Sequence, residues 1–248
     1  MTKIKQNSQL AIVSLTLSLL GLGLLPLLFT SHPPTILFPW QSQLIGLSFM
    51  IICVLGIIAG ISPSHCSRSP QPKKESHDMK RATNTIHTEA PTYKMGHHPT
   101  CHPYSSHTIR IKDRVFCAGC TGLVTGALIA LIGTTLFFFL NFQLIFPQII
   151  FWIGFIFVAL GLIQHLLYRL QFHILQHGGT RIFLNILFVV GSFLLLASLW
   201  QLTNSLAFAA YMLLLILYWI LTRIIMSRHS HRHICRACEK TNCPLSDA

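Results

Sequence analysis

The sequence predicts an all-α, polytopic membrane protein with about six transmembrane helices and both termini in the cytosol. Three observations carry this. Of the 248 residues, 52% are hydrophobic and only 10% are charged, against about 25% charged in an ordinary soluble domain. Six apolar stretches reach the roughly 20 residues that a helix rising about 1.5 Å per residue needs to cross a bilayer. Finally, the basic residues are confined to alternate connections.

The spans are expected near 10–29, 43–62, 122–140, 147–168, 182–200 and 205–222. Lys3 and Lys5 precede the first and give it the outline of a secretory signal. Its apolar run is too long for a signal core and no small-residue cleavage site follows, so it reads as a retained span. The segments 30–41, 141–146 and 201–204 hold no Lys or Arg; all 18 fall in the N-terminus, in 63–121, in 169–181 and after Leu221. The positive-inside rule assigns those segments to the cytosol. The expected location is the plasma membrane. The bilayer is the principal partner, with homo-oligomers or other membrane proteins left open. The net charge of +12 then serves topology beside an anionic leaflet, where each basic residue contributes about 1 kcal/mol. It calls for no nucleic acid, because the aromatic residues sit in the spans and not between the basic ones.

Four regions follow. Residues 1–62 form an N-terminal transmembrane hairpin, with Gly56 and Gly60 four apart on its second span. Residues 63–95 are rich in Ser, Pro, Lys, Thr and His without apolar periodicity, the composition of a flexible cytosolic linker. Cys66, His65, His77 and His87 in it read as solvated bystanders. Residues 96–227 form a four-span core, and 228–248 a cytosolic His/Cys-rich tail.

The core opens on the densest chemistry in the chain: Cys101, His102, His107, Cys117 and Cys120 within twenty residues. Between them, His107–Phe116 alternates, with Ile109 and Ile111 on one side and Arg110 and Lys112 on the other. A two-residue turn at Lys112-Asp113 sets Thr108 opposite Cys117 and brings His107 beside it. So few apolar side chains cannot build a core, and segments below roughly 40 residues usually need a metal or a disulfide. Seven of the eight cysteines lie on the cytosolic side, where thiols are kept reduced, so a metal is the stronger reading. The third span then carries Ala118, Gly122, Gly126, Ala130 and Thr134, a four-residue stripe that lets helix backbones approach in lipid.

The fourth span ends in Gln164 and His165, and His165, Arg169, His173 and His177 step by four. They read as an interfacial amphipathic turn ahead of a ligand pair. Gly178-Gly179 is expected to end that helix, and Arg181 to anchor the fifth span at the surface. The tail adds His233, Cys235, Cys238 and Cys243.

Zinc takes four Cys or His ligands, and the Cys-x-x-Cys spacing lets two thiolates bind one ion. Two assignments fit. One is a single site of Cys117, Cys120, Cys235 and Cys238. The other, which is preferred because each cluster is locally complete, places Cys101, His107, Cys117 and Cys120 in one site and His233, Cys235, Cys238 and Cys243 in a second. An iron–sulfur cluster is the alternative cofactor, since Cys235 to Pro244 resembles part of a ferredoxin pattern. Thiol redox chemistry is the rival use: Cys117 and Cys120 stand at a helix N-terminus beside Lys112 and Arg114, a setting that favours thiolate. Hydrolysis is poorly supplied, with Asp113 and Glu239 the only acids near the clusters. Ion-coupled transport is disfavoured because no charged residue is expected deep in a span, where only Gln164, His165 and Asn185 offer polar groups.

Cys101-His102, the hairpin-length gap, and Cys117-Ala118-Gly119-Cys120-Thr121-Gly122 with Gly126 resemble a family of uncharacterised prokaryotic multi-pass membrane proteins. Its members carry a Cys-His…Cys-Ala-Arg-Cys-Thr-Gly signature before a membrane helix. The resemblance covers roughly residues 96–200 and implies Cys101, His102, Cys117 and Cys120 as the site. Gly119 stands where Arg is usual, Pro103 where Gln is common, and Gln164-His165 where an Asp-Gly pair often appears, while Arg181 is kept. The resemblance implies no reaction. The expected role is therefore structural or metal- and redox-sensing, with a membrane oxidoreductase as the alternative.

Overall fold

The computed structural model describes residues 2–29, 39–61, 107–111, 114–169 and 177–236. Among them, six helices are long and apolar enough to cross a bilayer, at Gln9–Leu27, Trp40–Ile61, Ala118–Phe139, Pro147–Gln164, Gly178–Thr203 and Leu206–Ser230. The chain is an all-α multi-pass membrane protein. We number the helices α1 (Thr2–Phe29), α2 (Pro39–Ile61), α3 (Ala118–Thr134), α4 (Pro147–Arg169), α5 (Gly178–Thr203) and α6 (Leu206–Arg236), with strands β1 (Thr108–Ile111) and β2 (Arg114–Cys117) ahead of α3.

Helix α5 is the centre of the body, lying against α3, α4 and α6. Leu195, Leu196, Ala197, Ser198 and Leu199 are all fully buried on it, as expected of a helix enclosed on every side. The outer helices expose large apolar residues along one face, among them Leu10, Leu17, Leu24, Ile51, Leu55 and Ile58. Lipid, not water, is the solvent that suits such faces.

Close helix contacts follow from small residues. The α3 stripe Ala118, Gly122, Gly126, Ala130 and Thr134 is buried throughout. A Cβ added to Gly122 would fall 2.5 Å from the Ile182 carbonyl, and one on Gly126 would fall 3.1 Å from Ile186 Cα. Backbone therefore meets backbone along α3 and α5, the packing mode that works where apolar burial provides no drive. A second such crossing joins α4 to α5 at Gly154 and Gly191, where a Cβ on either would approach the other's carbonyl to 3.0 and 2.9 Å. The Gly56 and Gly60 pair differs: Gly60 faces Val124, but Gly56 meets nothing within 4 Å.

Helix α2 packs on α3, and α1 on α6. The second contact is partly polar. Thr222 bonds to Ser14 at 3.0 Å and to Ser18 at 2.8 Å, and Trp219 Nε1 donates to the Ser18 carbonyl at 3.2 Å. Because Gly21 meets Leu215 further along, α1 and α6 run antiparallel. The start of α1 and the end of α6 therefore lie at the same end of the bundle.

Two boundaries differ from expectation. Gly178-Gly179, expected to end a helix, opens α5, with His177 as the flanking residue in extended conformation; residues 170–176 before it lie outside the described residues. The cause is packing: a Cβ on Gly178 would lie 3.0 Å from Ile109 Cγ1 and 3.2 Å from the Thr108 carbonyl, so glycine admits the hairpin to the start of α5. Helix α6 also runs on past the expected end at 222 to Arg236. At the opposite end of α5, Asn204 takes φ 47°, a left-handed position that Asn tolerates, and allows the abrupt connection to α6.

Candidate functional site

The hairpin has the expected register. Thr108 pairs with Cys117, Ile109 with Phe116, Arg110 with Val115 and Ile111 with Arg114. Cys117 ends β2 and is the cap residue of α3, which carries Cys120 in its first turn. Thr121 Oγ1 donates to the Cys117 carbonyl at 2.9 Å and fixes the strand-to-helix junction. Both cysteines are half-buried thiols.

His107 is buried at the start of β1, with 5% of its surface exposed. Its Nδ1 lies 2.6 Å from Arg181 Nη1 on the first turn of α5. A guanidinium only donates, so Nδ1 must accept. The imidazole is then neutral with its proton on Nε2. A metal-bound histidine shows the reverse, offering a lone pair to the ion while its other nitrogen donates outward. His107, expected as a zinc ligand, is in this arrangement the acceptor that holds the hairpin to α5.

Asn185, one turn along α5 from Arg181, is the hub of a buried polar cluster. Its Nδ2 donates to the Arg181 carbonyl at 2.7 Å. Its Oδ1 accepts from Arg223 Nη2 on α6 and, at 3.5 Å, from Gln164 Nε2 on α4. The Arg223 guanidinium also lies over the Phe188 ring, 4.4 Å from its centroid, a cation–π contact. Gly119 adjoins the cluster, since a Cβ there would sit 3.8 Å from Asn185 Nδ2 and 3.9 Å from Cys117 Sγ. The cysteine junction and the arginine cluster are thus neighbours at one end of the bundle.

Arg223 bears on the expectation that no charged residue lies deep in a span, because it falls inside the last apolar stretch, near its end. It keeps 8% of its surface exposed and stands seven residues inside the end of the apolar stretch at Ser230, about 10 Å at helical rise. Ionisable residues inside such stretches usually face the bundle interior, pair with a neighbour and mark function. The signal was present in sequence: Thr222 and Arg223 continue the buried series Met212, Leu215, Ile216 and Trp219, and Ile224, Ile225 and Met226 extend the apolar run beyond them.

No family model matches this sequence, and neither a curated protein nor a solved structure matches it.

Among the described residues, no group of three or more His, Cys, Asp or Glu is placed to hold a metal ion. Cys101 and His102 lie outside those residues, as do Cys238, Cys243 and the expected turn at Lys112-Asp113. His173 and the expected linker also lie outside them. Positions 233 and 235 fall in the last turn of α6, twelve residues beyond Arg223 in the second case, or about 18 Å along the helix. Arg223 shares the level of Asn185 and Gly119, so α6 carries Cys235 well past the Cys117–Cys120 junction. Two thiolates on one zinc, at about 2.3 Å each, are separated by less than about 4.6 Å.

Proposed function

We propose that this chain is a plasma-membrane protein that presents a Cys/His zinc site at the cytosolic mouth of its helical bundle, in a structural or metal-sensing role. The observation that carries the reading is the strand-to-helix junction. Cys117 closes the hairpin and Cys120 stands on the first helical turn, so a metal bound there would tie the hairpin to α3. The cytosolic placement rests on the flanking basic residues: Arg181 and Arg228 both belong to the end of the bundle that carries the junction.

The ligand set in this reading is Cys117 and Cys120 with Cys101 and His102. This is the set implied by the resemblance to the prokaryotic multi-pass family. His107 leaves the set because Arg181 occupies its lone pair. The helical reach of α6 supports a second, separate site from His233, Cys235, Cys238 and Cys243 over one shared by both cysteine pairs. Metal analysis of the purified protein tests the reading.

A second reading is a membrane oxidoreductase using Cys117 and Cys120, or an iron–sulfur centre. The observation in its favour is the placement of both thiols at the N-terminus of a 17-residue helix, whose dipole favours thiolate. Stoichiometric iron with visible absorption would select it.

A further inference from the structure

The cluster around Asn185 carries two buried polar atoms that the metal reading leaves unaddressed. Arg223 and Gln164 are each more than nine-tenths buried, at 8% exposure. Both reach the same acceptor, Asn185 Oδ1. Beyond that contact, Arg223 Nη1 and Gln164 Oε1 are buried without a hydrogen-bond partner. Arg181 stands one turn away on α5, so a second cation borders the cluster. None of the six acidic residues (Glu75, Asp78, Glu89, Asp113, Glu239 and Asp247) is among the described residues. Helices α3 and α5 both begin at this end, and helix N-termini add positive potential.

A water could satisfy the orphaned guanidinium nitrogen, but it would bring no negative charge to a guanidinium that faces no carboxylate among the described residues, and buried ions are paired or costly. An oxyanion satisfies both needs. The guanidinium fork matches it geometrically. Gln164 Nε2 already donates to Asn185 Oδ1, so Gln164 meets the ligand through its orphaned Oε1, which accepts from a P–OH group. We propose that Arg223 and Gln164, held by Asn185, form a buried binding site for an oxyanion of the phosphate type that keeps a P–OH group, either free phosphate or the phosphate monoester of a lipid headgroup. The proposal does not rest on zinc binding.

The test uses the full-length protein in delipidating detergent, with its unfolding temperature followed in sodium phosphate against sodium chloride at equal ionic strength. A parallel series uses nanodiscs of phosphatidylcholine with and without phosphatidic acid. Free phosphate as the occupant gives a saturable rise in unfolding temperature in detergent. Its apparent affinity weakens about tenfold or more in Arg223→Gln, the range expected for loss of a charge-assisted hydrogen bond. Arg228→Gln, which alters an exposed arginine on the same helix, leaves it unchanged. A rise with phosphatidic acid alone, lost in Arg223→Gln, assigns the lipid source. Gln164→Leu keeps the arginine and serves where Arg223→Gln does not fold; it should weaken binding in the same series. Equal shifts in wild type and all variants would mean a general salt effect, and no shift with either probe would mean a hydrated arginine. Either result overturns the proposal.

Discussion

Arg181 donates to His107 across 2.6 Å, and this contact decides both where the hairpin sits and which protonation state the histidine holds. With Gly178 admitting Ile109 and Thr108 to the start of α5, the hairpin is docked by one charge-assisted bond and one close backbone contact. His107→Ala should therefore cost about 2 kcal/mol, the range for hydrogen bonds to charged groups, and increase proteolysis within the hairpin. It should leave the metal content intact. Cys117→Ser should strip the metal while the spans remain inserted. Loss of metal in His107→Ala to the same extent as in Cys117→Ser would return the histidine to the ligand set.

The glycines offer a paired prediction. Gly122→Ala forces a methyl to within 2.5 Å of the Ile182 carbonyl, where only a backbone shift makes room. Overpacking of this kind costs about 1–3 kcal/mol. Gly56→Ala, with open space around it, should be neutral or stabilising by up to about 1 kcal/mol, through a less free unfolded chain and better helix propensity. Denaturation of both variants in mixed detergent measures the difference. Equal effects would contradict the close crossing of α3 and α5.

Much of this fold was legible in the sequence because it depends on local spacing. Six apolar runs give six helices, the alternation in His107–Phe116 gives the hairpin with its register, and the four-residue stripe gives the α3–α5 contact. Arg223 was not legible by the same route. The positive-inside rule treats a terminal Arg as the edge of a span, whereas here residues of α4 and α5 gather around it and apolar residues continue past it. Gly178-Gly179 resembled a helix stop because its role is set by the hairpin, which is distant in sequence. The Gly154 and Gly191 crossing escaped for the same reason, since neither glycine belongs to a repeating stripe. His107 had the spacing of a ligand, but its partner, Arg181, lies 74 residues away.

Asn185 is the residue whose loss should spread furthest. Asn185→Leu removes the acceptor shared by Arg223 and Gln164 and leaves a buried charge unpaired. A loss of about 3 kcal/mol is expected. Asn185→Asp should keep or raise stability by supplying a carboxylate to Arg223, and should abolish the stabilisation by phosphate. Thermal unfolding of both variants with and without phosphate checks this. An Asn185→Leu protein as stable as wild type would mean that Arg223 is not held there.

Thr222 links α6 to two residues of α1. Hydrogen bonds between membrane helices contribute about 0.6 kcal/mol on average, so Thr222→Val should cost about 1 kcal/mol for the pair. The loss should fall on α1, read as faster crosslinking or labelling of a cysteine placed at the buried Ala11. Unchanged labelling at that position would mean that the apolar contacts alone hold α1 to α6.

The metal content of full-length protein purified anaerobically tests the central claim most directly. Zinc in about one or two equivalents per chain, at four Cys or His ligands each, with no visible absorption, is the expected result, falling by one equivalent in Cys117→Ser. A chain that carries no metal, or stoichiometric iron with a brown colour, would contradict a zinc site at the Cys117–Cys120 junction.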